Sequence, residues 1–313
     1  MSERGAVGVA VGGAVLIGAL TALQARINGT LGAAFGDGIV AAAVSFTSGL
    51  VILVALSALL PEGRRGFGRL VGGIRTRSIP PWMLLGGLVG AFTVASQGLT
   101  VATIGVALFT VGFVAGQTTG GLVLDRIGYG PAGVVPVTVR RAVGAALAIA
   151  GVVVCLSGDA LAGVPPWMLI VPAVAGAAVS WQQGTNGRLR VQVDSPLTAT
   201  LVNFIGGTVV LLLAAAAHIA VVGAPRAVPT EPWLYSGGAV GVIYIFLSSV
   251  VVRRTGVLLL GLGSVVGLLT TSVLLDAAWP APAAPSPAVA VLAAAVAIAG
   301  VVVAAVPWRR RRG

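Results

Sequence analysis

The amino-acid sequence predicts an all-α polytopic membrane protein whose ten transmembrane helices form two inverted five-helix repeats. Three observations predict this fold: the apolar composition, a set of long charge-free stretches, and polar motifs that recur at a fixed spacing. Of the 313 residues, 57% are hydrophobic and only 9% are charged, whereas soluble domains carry about 25% charged residues. This composition excludes a water-soluble enzyme, a disordered chain and a soluble nucleic-acid-binding domain.

The charge-free stretches are long enough to cross a bilayer, which requires about 20 mainly apolar residues. The stretch from Ser78 to Leu124 is too long for one helix, and it divides naturally around Gly105. Four prolines between residues 280 and 287 mark a loop before the last helix. The ten helices are predicted near residues 6–26, 38–60, 82–101, 105–124, 140–157, 166–186, 196–219, 233–251, 256–275 and 288–306.

Polar motifs of the first half recur in the second half. At an offset of 158 residues, the matched pairs are Gln24 with Gln182, Asn28 with Asn186, and Ser45 with Asn203. At an offset of 151 residues, they are Gly86 with Gly237, Gly105 with Gly256, and Asp125 with Asp276. Residues 148–154 recur without change as residues 297–303. The sequence therefore predicts two five-helix repeats, residues 1–158 and residues 159–313.

An odd number of helices in each repeat gives the second repeat the opposite orientation, and the arginines agree with this. The 19 basic residues are all arginine, and with both termini cytoplasmic all of them except Arg26 and Arg226 lie on the inner side. The net charge of +11 therefore indicates membrane orientation, and no nucleic-acid partner is expected. Inverted repeats are a recurring design of secondary transporters, because two similar halves can exchange conformations around a central site.

Three motifs connect the chain to a known family. They are Gln-x-x-x-Asn-Gly-x-Leu from Gln24 to Leu31, Ser-Phe-x-x-Gly from Ser45 to Gly49, and Gly-Gln-x-x-Gly-x-x-x-Leu-Asp-Arg-x-Gly from Gly116 to Gly128. With them the chain resembles the drug/metabolite transporter superfamily, and within it the YdcZ-like bacterial inner-membrane branch. The resemblance spans nearly the whole chain and implies the fused ten-helix form, an inverted-repeat fold and a role as an exporter.

The second half departs from these motifs. Leu268 stands where Gln117 would recur, and Asn203 stands where Ser45 would recur. The two halves have therefore specialised, which argues against a model with two identical sites.

Polar side chains within the spans are the candidate substrate contacts, because a polar group in hydrocarbon is costly. In each half, a Gln and an Asn four residues apart share one helix face, and Gln97 is expected to meet Gln117 across two neighbouring helices. The alternative interpretation is structural: an Asn-Gly pair often ends a helix, and a buried amide often bonds a neighbouring helix. The candidates are Gln24, Asn28, Ser45, Gln97, Gln117, Gln182, Asn186, Asn203 and Tyr244.

Asp125 and Asp276 end the fourth and ninth predicted helices at opposite membrane faces, and they are the candidates for proton coupling. The alternative is an interfacial carboxylate, which Arg126 beside Asp125 supports. His218, near the outer end of the seventh helix, is assigned to the wetted interface.

The predicted function is a secondary active transporter that exports a small polar or amphipathic metabolite across the bacterial inner membrane by alternating access. Its expected partners are a small-molecule substrate, the lipid bilayer and a coupling proton or ion. No cofactor or metal is expected, because a chain without lysine has no ATP-binding P-loop and one Cys with one His makes no zinc cluster. A non-transporting membrane scaffold or receptor-like subunit is the first alternative, and an intramembrane enzyme is the second.

Overall fold

The computed structural model of the chain describes residues 3–129, 134, 136–156, 164–225 and 227–305, with the side chains of all these residues except 3–11, 246, 248–262 and 305. Within these ranges the protein is helical and contains no strand, which confirms the all-α prediction. Two short 3-10 turns, Pro81–Leu84 and Pro232–Ser236, precede α4 and α8. The nine α-helices over these ranges are α1 (Glu3–Phe35), α2 (Gly38–Leu59), α3 (Pro61–Arg75), α4 (Gly86–Arg126), α5 (Val139–Leu156), α6 (Pro166–Val193), α7 (Pro196–Val222), α8 (Gly237–Ala278) and α9 (Pro287–Ala305).

Six helical segments in the described part of the chain are long and apolar enough to cross a membrane, as expected for a polytopic membrane protein. They are Gly12–Phe35, Gly38–Leu59, Pro81–Arg126, Val139–Leu156, Pro196–Val222 and Pro287–Ala304. Helices α4 and α8 each cover two of the ten predicted spans, so the number of helices differs from the predicted number. The count of ten spans stays a prediction.

Helix α4 is a helical hairpin whose two arms meet at Gly105. Gly105 has φ 81° and ψ 164°, backbone angles that glycine adopts far more readily than other residues. Trp82 precedes the first arm and Tyr129 follows the second, and their ring centroids are 5.9 Å apart. Both arms therefore end at the same face of the protein, and the predicted break around Gly105 is confirmed.

Helix α8 also runs in two directions, as its contacts with α1 show. In order along α8, these contacts are Gly241 with Gln24, Leu247 with Ala14 and Ile17, Gly267 with Val15, and Asp276 near Arg26. The first part of α8 moves toward the N-terminus of α1, and the last part moves away from it. The two described parts of α8 therefore run in opposite directions along α1, which makes α8 the counterpart of the α4 hairpin.

Two equivalent helix crossings connect the halves through glycines that allow the backbones to touch. A Cβ at Gly18 of α1 would overlap the carbonyl oxygen of Ser264 in α8. In the same way, a Cβ at Gly176 of α6 would overlap the carbonyl oxygen of Phe113 in α4. The sequence offsets relate these two crossings to each other, so each α4 or α8 hairpin packs on the first helix of the other half.

The segment between the second and third predicted spans, for which the sequence analysis predicts no helix, is largely helical. In α3 (Pro61–Arg75), one face buries Gly63, Gly66 and Leu70. Arg69 donates from Nη1 to Oδ2 of Asp194 at 2.9 Å, which ties α3 to the end of α6. This short glycine-rich stretch has no long apolar run, and its packing against α6 and α7 stabilises the helix.

The predicted orientation and repeat boundary rest partly on residues that the structure does not describe. Side chains are not described for Arg4, Arg226, Arg253, Arg254 and Arg309–Arg312. The boundary between residues 158 and 159 falls in the undescribed range 157–163. Both statements therefore stay predictions.

Candidate functional site

Four of the predicted polar residues come together where α1, α2, α4 and the start of α8 meet. We call Gln24, Asn28, Ser45 and Gln97 the α1 amide cluster; each is at most 5% exposed. Gln24 Nε2 donates to the backbone carbonyl oxygen of Gly237 at 2.9 Å. Asn28 Nδ2 donates to Oε1 of Gln97 at 2.8 Å. These hydrogen bonds connect α1 to both hairpins.

Three further candidates meet at the start of α4. We call Gln182, Asn186 and Asn203 the α6 amide cluster. Gln182 Nε2 donates to the backbone carbonyl oxygen of Gly86 at 2.8 Å, and Asn203 Nδ2 donates to that of Ala199 at 3.1 Å. A Cβ at Gly86 would lie 2.6 Å from Oδ1 of Asn186 and would also overlap Oδ1 of Asn203. Both amide oxygens therefore point at the first residue of α4.

The two clusters are structural repeats of each other. Gln24 bonds the first residue of α8, and Gln182 bonds the first residue of α4. A Cβ at Gly237 would overlap Oδ1 of Asn28 and would lie 2.9 Å from Oγ of Ser45, as a Cβ at Gly86 would meet the two Asn oxygens. A glycine is required at both positions because any side chain would displace the amides. The polar matches found in the sequence thus become matched contacts in three dimensions.

Each cluster holds amide oxygens that lack a hydrogen-bond donor. Oδ1 of Asn28, Asn186 and Asn203 is buried and accepts no hydrogen bond from any described residue. Leaving a buried acceptor unpaired costs about 1–3 kcal/mol. The clusters can therefore accept hydrogen bonds from a ligand that carries N–H or O–H groups.

The two clusters differ in exposure. Gln24 and Asn28 are 5% and 0% exposed, whereas their counterparts Gln182 and Asn186 are only partly buried. The α1 amide cluster is therefore enclosed by packing, while two of the three residues of the α6 amide cluster are partly accessible and Asn203 is 9% exposed.

The alternative interpretation of the Asn-Gly pairs as helix ends is wrong. Helix α1 continues through Asn28 to Phe35, and α6 continues through Asn186 to Val193. Since both Asn side chains lie within helices, they are free of a capping role and face neighbouring helices.

An aromatic and basic group borders the α6 amide cluster. The guanidinium carbon of Arg188 lies 4.8 Å from the ring centroid of Tyr129 and 5.7 Å from that of Trp82. The rings of Tyr129 and Trp181 are stacked with centroids 6.3 Å apart. Trp82, Tyr129, Trp181 and Arg188 therefore form one connected group.

Gln117 and Tyr244 lie apart from the two clusters. Tyr244 packs in an apolar group with Ala14. The expected partner of Gln97 was Gln117, but Gln97 instead accepts a hydrogen bond from Asn28. At Gln117, the backbone carbonyl oxygen accepts a hydrogen bond from Oγ of Ser180 at 2.7 Å. The expected contact between Gln97 and Gln117 is therefore wrong.

The two candidate carboxylates have different surroundings. Asp276 is 7% exposed, and its oxygens accept the backbone N–H groups of Val106 and Ala107 at 2.8 and 2.7 Å. Asp125 has a side chain that is 33% exposed and forms an ion pair with Arg141. Asp276 therefore binds backbone within the protein, whereas Asp125 binds a basic side chain near the surface.

His218 has a partner that the sequence did not indicate. Its Nε2 lies 3.4 Å from Oδ2 of Asp37, and the His218 side chain is 35% exposed. Asp37 also caps α2 by accepting the N–H groups of Ile39 and Val40. The prediction of a partly wetted histidine agrees with this exposure, but the contact between α7 and the start of α2 was missed.

The glycines that receive the amides were also not identified as site residues. The sequence signal was the Gly-Gly pair at residues 86–87 that recurs at 237–238. Among the described residues, no group of three or more His, Cys, Asp or Glu side chains is arranged to hold a metal ion.

Comparison with known proteins gives a match over most of the chain. The family model described as "Putative inner membrane exporter, YdcZ" matches residues 9–154 and, separately, residues 167–303. Each half of the chain is thus similar to the same family model, in keeping with an internal repeat. No curated protein sequence matches the chain.

Proposed function

Because the chain belongs to the YdcZ family of inner membrane exporters, we propose that it is a secondary active transporter that exports a small polar or amphipathic metabolite by alternating access. The observation that carries this proposal is the pair of equivalent amide clusters with unequal exposure. The enclosed cluster and the partly accessible cluster correspond to the closed and open ends of one pathway. An exchange of their environments would open the pathway at the other end.

The predicted orientation supports the direction of transport. With both termini cytoplasmic, α1 ends on the outer side, so the enclosed α1 amide cluster lies toward the outer face. The partly accessible α6 amide cluster lies toward the cytoplasm. A protein in this state is ready to receive a substrate from the cytoplasm, as an exporter requires.

The chemistry of the clusters indicates the kind of substrate. All three unpaired side-chain atoms in them are amide oxygens, which accept hydrogen bonds and carry no net charge. They favour a molecule with N–H or O–H donors and do not require a cation. The adjacent rings of Trp181 and Tyr129 offer apolar surface to the less polar part of such a molecule.

The energy for transport would come from a gradient of the substrate or of a coupling proton or ion. The chain contains no lysine, so it lacks the P-loop that binds ATP in many pumps. Besides the substrate and this ion, the proposed partner is the surrounding lipid bilayer.

A flux measurement tests the proposal. The purified protein is reconstituted in liposomes, and uptake from a broad panel of labelled metabolites is compared with that of protein-free liposomes. We expect flux of at least one donor-bearing metabolite, and a loss of that flux in Gln182→Leu, which removes the hydrogen bond to Gly86. The matched control is Gln183→Leu, because Gln183 is the adjacent glutamine and is exposed.

Two results would overturn the proposal. Wild-type protein that is folded and monodisperse but moves no metabolite of the panel would favour the scaffold alternative. Wild-type flux in both the Gln182→Leu and the Gln183→Leu variants would show that the α6 amide cluster is not part of the transport pathway.

A further inference from the structure

The carboxylate of Asp276 closes a junction between the two halves of the chain. Val106 N–H donates to Oδ1 at 2.8 Å and Ala107 N–H donates to Oδ2 at 2.7 Å. These two donors begin the second arm of α4, directly after the break at Gly105. The first N–H groups of a helix have no partner within that helix, so Asp276 caps this arm from a different part of the chain.

The cap is charged and surrounded by protein. Asp276 is 7% exposed, and hydrogen bonds between a carboxylate and a helix N-terminus are about twice as strong as neutral ones. Arg26 of α1 is a cation within electrostatic range of this carboxylate. Arg26 is also one of the two arginines predicted to lie on the outer side, and its attraction to this carboxylate gives a physical reason for that exception.

The segment between α8 and α9 covers the same tip of α4. Ala283 N–H donates to the carbonyl oxygen of Thr103 at 2.8 Å. A Cβ at Gly105 would lie 2.6 Å from Oδ2 of Asp276 and 3.0 Å from Cβ of Ala284. The turn of α4 around Gly105, which we call the α4 tip, is therefore packed between Asp276 on one side and the proline-rich segment on the other.

The inverted repeat assigns counterparts to the carboxylate and to the helix start that it caps. The offset of 151 residues relates Asp276 to Asp125, and it relates Gly105 and Val106 to Gly256 and Val257. Asp125, however, has a side chain that is 33% exposed and is paired with Arg141. In the register that relates residues 148–154 to 297–303, Ala290 stands where a counterpart of Arg141 would be, so Asp276 lacks an equivalent of the ion pair with Arg141.

From this asymmetry we infer that Asp276 and Asp125 are positioning residues of two opposite gates, an inference that rests on the proposed alternating-access function. Asp276 holds the α4 tip against the α8–α9 segment and closes the end of the pathway near the α1 amide cluster. Asp125, the counterpart of Asp276, closes the other end through the equivalent contact with the second half. Arg141 holds Asp125 in the state that is open at that end, and the two gates close in alternation.

Thiol labelling in detergent tests this inference without a substrate. In a Cys155→Ser background, one reporter is Ala283→Cys, in the covering segment itself, where Ala283 is 6% exposed. The other is Gly121→Cys on the second arm of α4, where a Cβ would meet only Oγ of Ser180 at 3.9 Å. The labelling rate of each reporter with a polar maleimide measures how often its end of the pathway is open.

We expect Asp276→Asn to raise the labelling rate at Ala283→Cys about tenfold, since it removes a charge-assisted bond to two N–H groups. The same variant should lower the rate at Gly121→Cys. Arg141→Gln, which removes the ion pair that holds Asp125 in the open state, should likewise lower the rate at Gly121→Cys and raise the rate at Ala283→Cys. The matched control is Asp194→Asn, which alters a carboxylate of an exposed ion pair and should change neither rate.

A second variant keeps the test valid if Asp276→Asn does not fold. Val106→Pro removes the N–H that Oδ1 of Asp276 accepts, and proline is well tolerated at the first position of a helix. It should change both rates in the same directions as Asp276→Asn. The inference is overturned if folded variants leave both rates unchanged, or if both reporters become faster together. Because labelling needs no transport, a negative flux assay and a negative labelling assay remain separate results.

Discussion

The rings of Phe46 and Phe204 stack with centroids 4.8 Å apart and an interplanar angle of 29°. The two residues are counterparts in the repeat, since they are separated by the same 158 residues as the amide pairs. A Cβ at Gly49 would overlap the ring of Phe204, and a Cβ at Gly207 would overlap that of Phe46. Exchanging the two halves replaces Phe46 by Phe204 and Phe204 by Phe46, so it leaves this contact unchanged. The contact therefore lies on the pseudo-two-fold axis that relates the halves.

This stacked pair also separates the two amide clusters. The ring tip of Phe46 would lie 3.1 Å from a Cβ at Gly90, beside Nε2 of Gln182. The ring tip of Phe204 would lie 3.8 Å from a Cβ at Gly241, beside Nε2 of Gln24. Each ring thus reaches the amide cluster of the other half, and the pair lies between the two clusters.

Phe46→Ala and Phe204→Ala should destabilise the protein by similar amounts, about 3 kcal/mol each, because each removes a buried ring from the same contact. The measurement is the shift in unfolding temperature in detergent. Phe67→Ala is the matched control: Phe67 is 45% exposed and should cost little. A large effect from only one of the two buried rings would contradict the central position of the pair.

Gly116→Ala and Gly267→Ala should both destabilise the helix crossings. An added Cβ would overlap the carbonyl oxygen of Ala173 in the first case and of Val15 in the second, and overpacking of this kind costs about 1–3 kcal/mol. Gly68→Ala in α3 should have the opposite sign, since no atom lies within 4 Å of its Cβ position. There alanine should stabilise the helix by up to about 1 kcal/mol. Unfolding temperatures of the three variants check these signs.

The hydrogen bond between Asn28 and Gln97 should appear as an energetic coupling. Both side chains are buried, so Asn28→Ala leaves the Gln97 amide without its partner and Gln97→Ala does the same for Asn28. A double-mutant cycle of unfolding free energies should give a coupling of about 1 kcal/mol. Additive effects of the two substitutions would show that the bond does not contribute to stability.

The predicted orientation can be checked with single cysteines in the Cys155→Ser background. Gly68→Cys in α3 is predicted to face the cytoplasm, and Ala227→Cys, between α7 and α8, is predicted to face outward. An impermeant maleimide added to intact spheroplasts should label only Ala227→Cys, and lysis should expose Gly68→Cys as well. Labelling of Gly68→Cys before lysis would reverse the orientation and, with it, the proposed direction of transport.

Much of the candidate site was predictable because the repeat leaves a mark on the sequence. Gln24 with Asn28 and Gln182 with Asn186 were selected as polar residues on one helix face, and the structure places both pairs in matched clusters. Their partners were not predictable in the same way. Gln24 bonds a carbonyl oxygen 213 residues away, and no local pattern specifies such a contact.

The expected contact between Gln97 and Gln117 shows why. It assumed that residues of consecutive spans face each other, but the α4 hairpin packs on α1 through its first arm and on α6 through its second. Gln97 therefore meets Asn28, whereas Gln117 lies against α6. The packing of hairpins from one half on helices of the other half decides these neighbours.

The sequence by itself determined the membrane class, the helical fold, the position of the break at Gly105 and the internal repeat. Hydropathy, glycine position and recurring motifs are properties of short segments, so they can be read without knowing the contacts. Only the tertiary structure decided that α3 is a helix, that Phe46 meets Phe204, and that Asp276 caps Val106 across 170 residues. These features arise when helices distant in the chain pack together. Buried polar groups need hydrogen-bond partners and buried rings need packing neighbours, and the fold decides which residues provide them.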